Sequence, residues 1–227
     1  KIEVDEYGKI NYQNGGLPQN GSLDLHLRQF EIDIDRLIPN KTFDGLAVID
    51  FECWRPTFRQ NFGDLKIYKD LTLLQINKKH PTWSRDQIEA QATVIFENSA
   101  FKFINRTMLR ARKLRPNAKM GYYGFPHCFN RYRSSQIERC PDQVEMENNK
   151  LLFMYNNAIY PSIYITQNQT DEKVLSKFVQ GKMNEANRIS KLTGDIQRVP
   201  FIRYQYTDKS SRDFMKRVEY TYSSYFP

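Results

Sequence analysis

A parallel α/β domain is the fold the sequence predicts, and three observations predict it. Short apolar runs alternate along the chain with stretches of helical periodicity. One run, Gly45-Leu-Ala-Val-Ile-Asp50, has no polar alternation, as expected of a strand buried on both faces. A chain of 227 residues, 40% of them apolar, has room for one ordinary domain with a sizeable core. A barrel and a doubly wound sheet both satisfy this pattern.

In order along the chain, Leu23, Leu27, Phe30, Ile34 and Leu37 draw one apolar stripe on a helix that ends at Pro39. The strand at 45–50 follows. A long helix is expected over 84–114. Ser84 and Gln87 form a capping box, Trp83 and Ile88 can make a hydrophobic staple, and Pro116 stops the helix. A strand follows at 119–123, a helix at 143–157 and a strand at 161–165. An amphipathic helix then carries Leu175, Val179, Met183 and Ala186, and a last strand spans 199–204. No internal repeat or low-complexity linker divides the chain, so residues 1–227 read as one domain.

Composition excludes a collagen, a disordered tail and a disulfide-dense miniprotein. The net charge of +8 favours an anionic partner. No apolar run reaches the roughly 18–20 residues that cross a bilayer, and Lys1-Ile-Glu-Val-Asp5 does not open a signal peptide. No membrane partner is expected. Nucleic acid is not expected either, because Lys and Arg are spread along the chain and no recognition motif is present.

Cys53, Cys128 and Cys140 form no CxxC pair, and the adjacent His127 and Cys128 lack zinc-ligand spacing. No metal or other cofactor is expected. A Cys128–Cys140 disulfide is the more attractive reading, stapling a polar loop for roughly 3 kcal/mol and leaving Cys53 unpaired. Four N-x-[ST] sequons, at Asn20, Asn40, Asn105 and Asn168, point with it to the secretory route and an extracellular protein.

The informative segment is Asp50-Phe-Glu52-Cys-Trp54-Arg55-Pro56. Two carboxylates closing a buried strand two residues apart turn to the same side, roughly 7 Å apart. In a barrel that is the carboxyl-terminal rim, where active sites sit. Desolvation and like-charge repulsion would raise the pKa of at least one, giving an acid able to protonate a leaving group. The bland alternative is that both cap the strand end or pair with Arg55.

With Phe58-Arg-Gln-Asn61, this segment resembles the active-site stretch of the hyaluronidase family, especially its insect venom and salivary members. Four further stretches, in order, are similar too: Asn14-Gly-Gly-Leu-Pro-Gln19, Lys79-His-Pro-Thr-Trp83, Gly121-Tyr-Tyr-Gly-Phe-Pro126 with Cys128, and Tyr160-Pro-Ser-Ile-Tyr164.

The resemblance implies a (β/α) TIM-like barrel and a secreted glycosidase of the venom or saliva type, an allergen class. It would cut the β-1,4 bonds of hyaluronan, with chondroitin a second substrate, as a monomer without cofactor. It implies retention by substrate assistance, the N-acetyl carbonyl oxygen of the sugar acting as nucleophile. Glu52 is then the general acid and later the base, and Asp50 orients the acetamido group. Tyr123 and Tyr164 line the catalytic subsite, Arg55 is a groove arginine, Trp54 offers a ring to sugar, and Cys128 and Cys140 are bridged. Cys53 stands where relatives carry other small or polar residues.

Measured against the family, the chain is short at both ends, which predicts an incomplete barrel that is weakly active or inactive by itself. Thr207 stands where relatives place a glutamine. Three rival readings remain: a catalytically silent hyaluronan-binding protein, a chitinase-like glycosidase and a nucleic-acid binder. Against the second, Asp44-Gly45 is out of step with Asp50 and the middle Asp of the chitinase motif is missing.

Overall fold

The structure, a computed structural model, describes residues 1–130, 136–155, 157–166, 169 and 171–207. The chain falls into two compact units, one of Lys1–Phe43 with Phe51–Asn117, the other of Asp44–Asp50 with the chain from Ala118.

The first unit opens with an antiparallel hairpin that the sequence reading had not anticipated, β1 (Ile2–Val4) against β2 (Ile10–Tyr12). Asn14, Gly15 and Gly16 then turn the chain with positive φ of 46°, 75° and 73°. A Cβ on Gly15 would lie 2.3 Å from the Asn20 carbonyl oxygen, so the turn requires glycine there. The Asn14 side chain accepts from the Ser22 N–H at 2.9 Å and donates to the Ser22 carbonyl at 3.1 Å. Ser22 in turn caps α1 (Leu23–Leu37), its Oγ accepting from Leu25 N. The helix has the expected bounds, but only Leu27 and Ile34 of the five-residue stripe are buried.

α2 (Lys66–Lys79) and α3 (Arg85–Leu114) complete this unit, α3 packing against both α1 and α2. The expected capping box is formed: Ser84 Oγ accepts from Gln87 N, and Gln87 Oε1 accepts from Ser84 N. Just past α3, the buried Arg115 donates to the Ile38, Ile34 and Leu114 carbonyls and to Asp35. It thereby satisfies carbonyls left over at two helix ends.

The second unit is a parallel ladder. β3 (Leu46–Ile49) pairs with β4 (Lys119–Tyr122), Ile49 opposite Tyr122. β5 (Ala158–Ile159) pairs with β6 (Gln197–Arg198), and a parallel bridge from Tyr123 to Tyr160 joins the two pairs. α4 (Asp142–Asn149) lies in the crossover from β4 to β5 and α5 (Glu172–Leu192) in that from β5 to β6. α5 buries Leu175, Val179, Met183 and Ala186, as its periodicity predicts. Asp171 caps it by accepting from the Lys173 and Val174 N–H groups.

Four expectations are corrected. β3 is not buried on both faces, since Leu46 is 49% and Val48 37% exposed. The helix expected over 143–157 ends at Asn149 and gives way to a short 3-10 turn at Leu152–Met154. The third and fourth strands begin at Ala158 and Gln197 rather than at 161 and 199, and Pro161, which has no N–H, interrupts their pairing. Beyond it the contact resumes: the Phe201 N–H donates to the Pro161 carbonyl at 2.8 Å, the Ile163 N–H to the Phe201 carbonyl at 3.0 Å and the Thr207 N–H to the Ile165 carbonyl at 3.1 Å.

Cys128 and Cys140 are bridged, as expected, and Cys53 is a free, half-buried thiol. The bridged loop is fastened to α5 by Asn130, whose Nδ2 donates to the Ile137 and Phe178 carbonyls, both at 2.8 Å. Gly181 leaves room for it, a Cβ there lying 2.5 Å from the Ile137 oxygen. Among the described residues no helix is long and apolar enough to cross a membrane.

Candidate active site

Parallel strands send their carboxyl ends to one edge, and the ladder of the second unit brings three of the expected residues to it. Asp50 directly follows β3. Tyr123 directly follows β4, its N–H donating to the Ile49 carbonyl at 3.0 Å, so register places the two residues abreast. Tyr164 follows the third strand, and its ring centroid lies 6.3 Å from that of Tyr123. Asp50 is exposed and both tyrosines are half-buried. Phe201 packs edge-on against Tyr123 at 5.0 Å, and the Arg203 guanidinium lies over the Tyr164 ring at 5.3 Å.

Tyr160, from the same sequence motif as Tyr164, has a different task. It is buried, and its hydroxyl donates to the Lys119 carbonyl at 2.5 Å. Its ring fills the space where Gly121 lacks a side chain: a Cβ there would be 2.8 Å from Tyr160 Cδ2. Burial pushes its hydroxyl up to about 12. Gly121 and Tyr160 together let two strands approach closely enough to align Tyr123.

Glu52 follows Asp50 by two residues on the continuous chain and is exposed. The strand has ended at Ile49, so the period-2 argument that set both acids on one side does not reach Glu52. Both acids are exposed, so the buried mouth expected around them is not observed.

Within the first unit, the chain after Glu52 is a loop that closes on itself. The buried Asn61 accepts from Arg55 N at 2.8 Å and donates to the Arg55 carbonyl at 2.8 Å and the Thr57 carbonyl at 3.0 Å. Arg55 donates from Nη1 to the Gln60 carbonyl at 2.7 Å, with its guanidinium over the Phe62 ring at 4.7 Å. Burial lowers its affinity for the proton, and the Glu52 charge opposes that shift.

Trp54 is 5% exposed, packed edge-on by Phe51 at 4.6 Å and held between Phe96 and Phe103. Its ring is therefore packed largely among core aromatics.

Sequence reasoning missed Asn61 as the loop's tie and Arg203 as the cation over Tyr164. Arg203 carried a usable signal, a charged residue inside an apolar strand pattern. The sequons at Asn20 and Asn40 are exposed and that at Asn105 half-buried on α3, whereas Asn168 lies outside the described residues. An exposed carboxylate abreast of a half-buried tyrosine pair is suited to a polar ligand with an apolar face, such as a sugar ring with an amide substituent.

Comparison with known proteins places these features in context. The hyaluronidase family profile matches residues 4–221. A hyaluronidase of Polistes annularis is 43% identical over 185 residues, covering 81% of this chain and 50% of that protein. An inactive hyaluronidase B of Vespula vulgaris is 38% identical over 208 residues, covering 90% of this chain and 61% of that one. Bee venom hyaluronidase, solved in complex with a hyaluronic acid tetramer, superposes with a TM-score of 0.90 at 32% identity, covering 98% of this chain and 69% of that one. The chain thus spans about half to two thirds of the length of the curated relatives it matches.

Proposed function

The chain belongs to the hyaluronidase family, and on that premise we propose that the protein carrying it is a secreted endo-β-N-acetylhexosaminidase that cleaves the β-1,4 bonds of hyaluronan. The observation that carries this reading is Asp50 abreast of Tyr123 at the carboxyl edge of a parallel ladder, with Glu52 two residues on. The four strands are read as part of a (β/α) barrel.

Glu52 protonates the glycosidic oxygen as the bond to the anomeric carbon breaks. The acetamido carbonyl oxygen of the same sugar attacks that carbon and closes a five-membered oxazolinium ring. Asp50 accepts the acetamido N–H, which aims the carbonyl and stabilises the positive charge that develops. Tyr123 and Tyr164 hold the acetamido group. The Glu52 carboxylate then takes a proton from water, whose oxygen opens the ring with the original configuration restored. Arg55 and Arg203 offer positive charge to a polymer with one carboxylate per disaccharide. Chondroitin presents the same acetamido group and carboxylate and is a second substrate.

Time-resolved proton NMR of hyaluronan cleavage tests the reading. New reducing ends emerge as the β anomer before mutarotation; ends emerging as the α anomer would rule out substrate assistance. A second reading, a silent hyaluronan-binding member, is favoured by the kinship with an inactive relative. Saturable hyaluronan binding with no new reducing ends would establish it instead.

A further inference from the structure

The first unit carries an open cleft of about 240 Å³ that the catalytic reading does not use. Tyr12, Leu71 and Leu74 form its apolar wall, and Asn20, Gln75 and Lys78 line it as well. Tyr12 is 54% and Leu74 46% exposed, an apolar surface that water meets directly. Asn20 is the first residue of the sequon Asn20-Gly-Ser22.

The amide of Asn20 is aimed by its neighbours. Gln75 on α2 donates from Nε2 to Asn20 Oδ1 at 3.1 Å, while its own Oε1 accepts from Gln19 Nε2 at 3.1 Å. Gln19 also donates to Thr72 Oγ1. The short turn that bears Asn20 is thus fastened to α2, and the oxygen of its amide is the atom engaged. Nδ2, the atom that glycosylation modifies, is left for the sugar. Attachment keeps the Oδ1 bond to Gln75 intact, because the linkage consumes only an N–H.

From the sequon at the rim, the oriented amide and the exposed apolar wall, we infer that Asn20 carries an N-linked glycan whose first N-acetylglucosamine seats in this cleft. In the linkage step Nδ2 bonds to the anomeric carbon of a lipid-pyrophosphate-linked oligosaccharide. The carbon–oxygen bond to pyrophosphate breaks, the lipid pyrophosphate leaves with the bonding electrons, and the amide gives up one proton. The ring's apolar face then covers Tyr12 and Leu74, and its hydroxyls face Gln75, Lys78 and water. Asn40 shares the engaged amide oxygen, its Oδ1 accepting from the Thr42 N–H and hydroxyl, but it does not line this cleft.

The test uses protein secreted from insect cells, first by mass spectrometry of the Asn20 peptide and then by thermal unfolding. Asn20 is occupied, and Asn20→Gln lowers Tm by about 2–4 °C. Trimming with an endoglycosidase that leaves one N-acetylglucosamine preserves the Tm of the parent protein. In a Tyr12→Ser background, Asn20→Gln costs less than it does in the parent. The same two variants made without glycosylation in bacteria show the loss due to the Gln75 bond alone, and the secreted difference exceeds it. An unoccupied Asn20, equal losses with and without glycosylation, or a trimmed protein as unstable as Asn20→Gln would each overturn the assignment. Hyaluronan turnover does not enter the test, so its outcome is independent of the catalytic reading.

Discussion

In the unit of α1, α2 and α3, most side chains of the family-like motifs are committed to architecture, the exposed Glu52 being the exception. Asn14 caps and clamps Ser22, Gly15 lets the turn close, His80 and Trp83 stack at 3.8 Å between two helices, and Asn61 ties its loop with three bonds of 3.0 Å or less. In the parallel-ladder unit, Asp50, Tyr123 and Tyr164 stand at a strand edge, exposed or half-buried. The contrast teaches how to sort residues that share a motif: a side chain sunk in helix caps and loop ties holds the fold, and a polar one left facing solvent at a strand end is available for chemistry.

Substitutions in the two regions should therefore fail in different ways. Asp50→Asn should lower kcat on hyaluronan by about 10²–10³-fold with Tm unchanged, because an exposed residue leaves the core alone while losing its hold on the acetamido group. Stopped-time reducing-end assays beside calorimetry check this, and a parallel fall in Tm would blur the comparison. Asn61→Ala should do the reverse. Loss of a buried side chain with its bonds to Arg55 and Thr57 should destabilise by about 2–3 kcal/mol in urea unfolding, while the folded fraction keeps the parent kcat.

A smaller effect sharpens the contrast further. His26 in the first unit bonds Thr107 Oγ1 at 2.7 Å, and burial holds its imidazole below the ordinary 6.5. A depressed histidine value means the unfolded chain takes up the proton first. Stability from this group is complete above 6.5 and lost as pH falls through 6.5 toward the lowered folded value. Tm measured from pH 7.5 to 5 should fall more steeply for the parent than for His26→Gln; parallel curves would remove His26 from the account.

Much of this was legible in the sequence where one signal dominated. The capping box and proline stop fixed α3 to within a residue, and the buried face of α5 follows its periodicity. α2 escaped notice because its buried positions are Tyr68, Thr72 and Ile76, with a polar residue at the centre of the stripe. Thr72 is tolerated there because its hydroxyl donates back to the Tyr68 carbonyl at 2.7 Å. The strands after β4 start earlier than their apolar runs because Pro161, with no N–H, interrupts the pairing, although Ile163 and Ile165 beyond it are buried and still bonded to Phe201 and Thr207. At the site, the residue types of the acids and tyrosines were readable from the motif. Their exposure was not, since it depends on where β3 ends rather than on local composition.

Whether Glu52 moves the proton is decided by the hyaluronan turnover of Glu52→Gln, measured together with its Tm. The prediction is a fall in kcat of about 10²–10⁴-fold with little change in KM and a Tm matching the parent. A variant that turns over hyaluronan as fast as the parent would contradict the assignment and return the motif to a structural role.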